Sequence, residues 1–117
     1  MTISVSYKFD DAVILITGAG SGIGAALALY CAREGATVIA IDRRHDMLLS
    51  KIKDSFRDRI DLREVDVSNE VGVAAALDDV KRKYSRVDAA VLGAAIQYRT
   101  DLDKISPAQW QIGRAHV

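Results

Sequence analysis

Hydrophobic positions in this chain come in two alternating textures: short unbroken apolar runs, and longer stretches with a helical stripe. Residues 12–17 (Ala-Val-Ile-Leu-Ile-Thr) form an unbroken, β-branched run. A run without polar alternation predicts a strand buried on both faces, as in a parallel sheet. A glycine cluster follows at once. Ile23, Leu27 and Tyr30 then recur at helical spacing, up to Gly35, which suits a C-terminal cap. Residues 36–41 predict a second buried strand, and Leu48, Ile52 and Phe56 mark one face of a second helix whose other face is charged. Residues 60–65 alternate and carry charge, which predicts a shorter third strand near the sheet edge. Ser68 suits an N-cap, with Glu70 in the first turn and Val73, Leu77, Val80 and Tyr84 as the buried stripe of a third helix. Residues 87–92 predict a fourth strand, and Ser106-Pro107 opens a fourth helix.

Strands alternating with helices in this way predict an α/β fold, a Rossmann-type doubly wound parallel sheet with right-handed crossovers and strand order 3-2-1-4. Half of the residues are hydrophobic and 27% are charged, which excludes a disordered tail. Sixteen basic residues balance sixteen acidic ones, so no global field attracts nucleic acid or an anionic membrane. No apolar run reaches the roughly 18 residues of a membrane span. Met1 to Asp10 lacks the order of a secretory signal. Cys31 is the sole cysteine, so no internal disulfide framework exists and a reducing, cytoplasmic setting is expected. No repeat or linker divides the chain, which leaves one domain over residues 1–111.

The chemistry concentrates where a buried strand, a glycine turn and a helix meet. There an open α/β sheet binds nucleotides: backbone N–H groups and the helix dipole stabilise a pyrophosphate, and glycine permits its close approach. Neither the G-x-G-x-x-G fingerprint nor a P-loop is present. What stands there is Thr17-Gly18-Ala19-Gly20-Ser21-Gly22-Ile23-Gly24. The alternative is a turn that merely packs helix against strand. Asp42 ends the second strand, 18 residues beyond Gly24, where a carboxylate accepts hydrogen bonds from adenosine ribose hydroxyls and repels a 2′-phosphate. NAD is therefore the expected cofactor. Arg43 and Arg44 follow, and a guanidinium pairs with that phosphate, so NADP is the alternative; both arginines also read as solvated.

The glycine turn resembles the Thr-Gly-x-x-x-Gly-x-Gly turn of the short-chain dehydrogenase/reductase family, and the resemblance runs from Phe9 to about Gln111. It includes Glu34-Gly35-Ala36-Thr37-Val38 and Pro107-Ala108-Gln109-Trp110. It implies cofactor binding by Gly18, Gly20, Ser21, Gly22, Ile23 and Gly24, with Asp42 and Arg43 at the ribose. NADP users of the family often carry a basic residue just before the second motif glycine; Ser21 stands there and favours NAD. The resemblance also assigns Asp66 and Val67 to the adenine, although Asp66 reads equally as a turn ahead of Ser68. Where the family shows Asn-Asn-Ala-Gly, this chain has Leu92-Gly93-Ala94-Ala95. Leu92 and Gly93 are thus implied cofactor contacts that lack the asparagine side chains, and close packing at the strand end is the other reading.

The family's reacting groups, an Asn, a Ser and a Tyr-x-x-x-Lys pair, have no counterpart here. The residues four beyond Tyr7, Tyr30, Tyr84 and Tyr98 are Asp11, Glu34, Asp88 and Leu102. A single α/β oxidoreductase domain commonly needs roughly 200–250 residues, so the chain reads as an N-terminal portion. Residues 112–117 break the pattern and read as a non-native tail, with no role for His116. Cys31 reads as a small buried apolar residue and His45 as solvated. No catalytic residue, metal-ligand cluster or nucleophilic triad is assigned. The resemblance implies an NAD(P)-dependent oxidoreductase whose complete parent acts on a small-molecule alcohol or carbonyl substrate and forms a homo-oligomer, and whose present portion is inactive alone. The rival is a non-catalytic NAD(P)-sensing or nucleotide-binding module on the same fold.

Overall fold

The computed structural model describes residues 3–4, 8–95, 102–104 and 106–108. Four strands carry it: β1 (Val13–Thr17), β2 (Thr37–Asp42), β3 (Ile60–Glu64) and β4 (Ala89–Leu92). All pair in parallel in the order β3-β2-β1-β4, as expected. Ile14 sits opposite Val38 on one side and Ala89 on the other, and Ile16 opposite Ala40 and Val91. Chain order reverses at β1, so a crevice opens above the carboxyl ends of β1 and β4.

The unbroken hydrophobicity of β1 and β2 follows from burial on both faces. Ile14, Ile16, Val38 and Ala40 pack with α1 (Gly22–Arg33), with Leu48 of α2 (Asp46–Leu49) and with Phe56. Val13, Leu15, Ile39 and Ile41 pack with Val80 of α3 (Glu70–Tyr84).

The buried face of α1 differs from the expected stripe. Ala25, Ala28, Cys31 and Ala32 are buried, Leu27 is half-buried, and Ile23 and Tyr30 are exposed. Close approach explains this. A Cβ on Gly24 would lie 2.1 Å from the Gly18 carbonyl oxygen, so the helix rests against β1 on small side chains, with no room for isoleucine or tyrosine beneath it. Its C-terminus ends as expected at Gly35. Gly35 adopts φ +104°, its N–H donates to Ala32 O at 3.2 Å, and the Ala36 N–H donates to Cys31 O at 3.0 Å. These are the two bonds of a Schellman cap.

The second helix is split. The α2 helix stops after one turn, where Ser50 Oγ donates to Met47 O at 2.7 Å and competes with the helical ladder. Lys53 is extended (φ −90°, ψ 148°), and a 3₁₀ turn over Asp54–Arg59 returns Phe56 to the core. The N-cap of α3 shifts by one residue. Asn69 accepts from the Gly72 N–H at 3.0 Å, because both the N–H and the hydroxyl of Ser68 donate to Asp66 Oδ1. Within the expected stripe of α3, Val80 is fully buried whereas Leu77 is 46% exposed. Residues 107–108 are helical, and a 3₁₀ turn precedes them at Leu102–Lys104. The rest of the expected fourth helix and the tail 112–117 lie outside the described residues.

Strand β3 is an edge, as its alternation predicts, but at 5 residues it is as long as β1 and not shorter, and a charged cluster clamps α3 onto it. Asp61 Oδ2 accepts from Tyr84 Oη at 2.6 Å and Arg63 Nη2 at 3.0 Å, and lies 3.4 Å from Lys83 Nζ. Arg63 also donates to Asp79. Burial pushes the Asp61 carboxyl up, but the Tyr84 hydroxyl, the Arg63 guanidinium and the Lys83 ammonium outweigh it and hold the group below the usual carboxylate range.

Candidate functional site

A cleft of about 590 Å³ lies over the carboxyl ends of the strands. Gly18, Ser21, Gly22, Ile23 and Gly24 form one wall, Asp42 and Arg43 stand at the end of β2, and Val65, Asp66 and Val67 follow β3. Gly93, Ala94 and Ala95 close it beyond β4. Ten of the twelve residues singled out from the sequence therefore share one cavity. The other two stand apart. Gly20 is buried beneath the loop, and Leu92 lines a small apolar cavity between α3 and the sheet, together with Leu15, Val67 and Leu77.

The loop is built by close contacts between backbones. Gly18 adopts φ +71°, and a Cβ there would lie 2.6 Å from the Gly93 carbonyl oxygen, so glycine is required for both conformation and space. A Cβ on Gly20 would meet Arg44 O at 1.8 Å. Gly20 thus seats the loop on the turn after β2. Its N–H donates to Asp42 Oδ2 at 2.9 Å, while the Arg43 N–H donates to Asp42 Oδ1 at 2.7 Å. Both carboxylate oxygens are held by backbone amides, and each keeps a further lone pair for a ligand.

Beyond this loop α1 begins. Ser21 is its N-cap in extended conformation, without a side-chain cap bond, and the first turn contains no acidic residue. The positive end of the helix is left to whatever enters the cleft. Asp66, by contrast, is engaged by Ser68. Arg43 and Arg44 are both exposed, as their solvated reading expects.

Two features escape the sequence reading. Thr17 stitches the ends of β1 and β4: its Oγ1 accepts from the Ala94 N–H and its carbonyl from the Gly93 N–H, each at 3.2 Å. The signal available was its place at the head of the glycine motif. His45 is not solvated but 2% exposed, with Nε2 2.9 Å from Arg63 O. Its charged neighbours in sequence point outward while the ring turns in beneath β3. Cys31 is buried as expected, and its thiol is pushed up by desolvation.

A family model described as short chain dehydrogenase matches residues 12–112. The chain belongs to the short-chain dehydrogenase family. Among curated members, a 3beta-hydroxysteroid dehydrogenase of Mediterraneibacter gnavus is 36% identical over 91 residues, covering 76% of this chain and 33% of that protein. Two solved structures are similar. A 3-ketoacyl-(acyl-carrier-protein) reductase from Brucella melitensis, complexed with NADH, is 28% identical at TM-score 0.79, covering 92% of this chain and 45% of that one. A gluconate 5-dehydrogenase from Burkholderia cenocepacia, in complex with NADP and tartrate, is 32% identical at TM-score 0.75, covering 92% and 43%. This short-chain dehydrogenase chain spans less than half the length of the curated relatives it matches first. No described helix is long and apolar enough to cross a membrane.

Proposed function

We propose that this chain supplies the nicotinamide-dinucleotide site of an oxidoreductase that acts on an alcohol or carbonyl substrate. The observation that carries the proposal is the uncapped, acid-free N-terminus of α1 sharing one cleft with the Asp42 carboxylate. The residues present fit such a ligand. A Cβ at Gly22 would meet nothing within 4 Å, so the loop is open on the cleft side, where a pyrophosphate needs room beside backbone N–H groups. Gly18, Ser21, Gly22, Ile23 and Gly24 would cradle the phosphates. Asp42 would accept from the ribose hydroxyls, Asp66 and Val67 would flank the adenine, and Gly93 would let the second ribose approach the end of β4. Gly20 would act indirectly by seating the loop, whereas Leu92, on the α3 side of the sheet and outside the cleft, would contribute only its backbone as the last residue of β4.

When bound, the dinucleotide supplies hydride chemistry. The work of this chain is to bind and orient it. Asp42 favours NAD, because its fixed negative charge stands where NADP carries the 2′-phosphate; Arg43 beside it is the group that opposes this preference. NADH and NADP bound to the two solved relatives support a nicotinamide dinucleotide as the ligand class. The chain alone is proposed not to turn over substrate, since no tyrosine in it is followed four residues later by lysine. Residues 1–111 are proposed as native domain and 112–117 as a non-native tail, in a parent that is cytoplasmic and homo-oligomeric.

Titration calorimetry with NAD and NADP, on the complete protein carrying this chain, tests the proposal. NAD is expected to bind more tightly, and Asp42→Ala to narrow or invert the preference. Tighter NADP binding by the unmodified protein makes Arg43 the dominant group, and binding of neither dinucleotide refutes the site.

A further inference from the structure

We infer that His45 is a positioning residue that fixes the Asp42–Arg44 turn and thereby sets the preference between NAD and NADP. The inference rests on the proposed dinucleotide site and adds to it a residue outside the cleft. Among the described residues His45 is the one buried polar side chain. It directly follows the turn that carries Asp42 and Arg43. A carbonyl oxygen only accepts, so the bond to Arg63 O requires the proton on Nε2. The ring's Nδ1 is buried without a hydrogen-bond partner. A polar ring placed in the core for one hydrogen bond is costly against an apolar side chain of similar size, so that bond needs a purpose.

Its geometry supplies one. The turn after β2 is held at its start by the Val65 N–H, which donates to Asp42 O at 3.0 Å. In the middle, Arg44 O lies against Gly20, whose N–H in turn orients the Asp42 carboxylate. At its end His45 ties the chain to Arg63 on the edge strand, 18 residues away. Removing the third tie frees Arg44 O from its seat on Gly20 and lets the Asp42 carboxylate and the Arg43 side chain move relative to the phosphate loop. The two groups that discriminate a ribose hydroxyl from a 2′-phosphate then lose their fixed spacing. His45 bonds to Arg63 and not to Ser21 at the α1 end, so the phosphate affinity common to both dinucleotides is expected to change less than their ratio.

The experiment compares His45→Gln, His45→Asn and His45→Leu in the complete protein, measuring calorimetric affinities for NAD and for NADP alongside melting temperature. The amide nitrogen of glutamine lies as many bonds from Cβ as Nε2 does and can reach Arg63 O, whereas that of asparagine falls short. The ratio of NAD to NADP affinity is expected to stay near that of the unmodified protein in His45→Gln and to fall about tenfold, which is about 1.4 kcal/mol of discrimination, in His45→Asn and His45→Leu. If His45→Leu fails to fold, the Gln and Asn pair decides the matter alone. A ratio unchanged in every variant, with both affinities and the melting temperature falling together, makes His45 purely structural and overturns the inference while the dinucleotide site stands. An unmodified protein that binds neither dinucleotide removes the site, and the inference with it.

Discussion

Gly18 and Gly20 in this loop are defined by what a Cβ would strike. At Gly18 that is the Gly93 carbonyl, across the gap between β1 and β4, so a side chain there would part the two strands at the mouth of the cleft. Gly18→Val is expected to abolish NAD binding, measured by calorimetry, because a β-branched residue at φ +71° adds strain to the clash. Retained affinity would separate this turn from phosphate binding. The glycines and Asp42 were legible in the sequence because their roles depend on local order: strand, turn, helix, and a carboxylate at the next strand end. Thr17 and His45 were not. Each acts through a backbone group far along the chain, Ala94 for one and Arg63 for the other, and no periodicity marks such a pairing.

Elements were legible where burial on two sheet faces dictates composition, as in β1 and β2, and less so where packing distance chooses the side chain. Large apolar residues at helical spacing point to Ile23 and Tyr30 on α1, but a helix pressed on its strand buries alanine. The cap of α3 was displaced by a local competition, since Asp66 takes both donors of Ser68 and Asn69 is left to cap Gly72. Asn69→Ala is therefore expected to destabilise the protein by about 0.5–2 kcal/mol. Thermal unfolding, with Ser68→Ala as the comparison, measures this; a larger cost at Ser68 would restore it as the cap.

The clamp between β3 and α3 makes a second prediction at this scale. Asp61 has a carboxyl held below its unfolded value of about 3.9, so its stabilising contribution is present above that pH and is lost as pH falls through the depressed folded value. Asp61→Asn is expected to be less stable than the parent at pH 7, with the gap narrowing towards pH 3. Denaturant midpoints at the two pH values measure it, and a gap that stays constant would mean that the carboxylate charge does not carry the clamp.

At the scale of the whole molecule, the sheet is protected unevenly. The β3 edge is charged and clamped, whereas β4 pairs only with β1 among the described residues. All four β4 residues are exposed, with Val91 at 37% and Leu92 at 78%. On the α3 side Leu77 is 46% exposed, and with Leu92 it borders an apolar cavity of about 120 Å³. An open strand edge beside uncovered leucines is a template for pairing with another chain. The core behind it is modest, because a small domain buries a lower fraction of its surface than a large one. The 117-residue chain by itself is therefore expected to self-associate as concentration rises and to melt with little cooperativity. Gel filtration over a concentration series and near-UV circular dichroism measure both properties. Leu92→Lys puts a charge on the exposed edge at little packing cost, and it should shift the elution towards monomer without loss of secondary structure. A sharp, concentration-independent monomer peak from the unmodified chain, with a cooperative melt, would mean that the β4 edge is no liability and that the two-faced core around β1 and β2 holds the fold unaided.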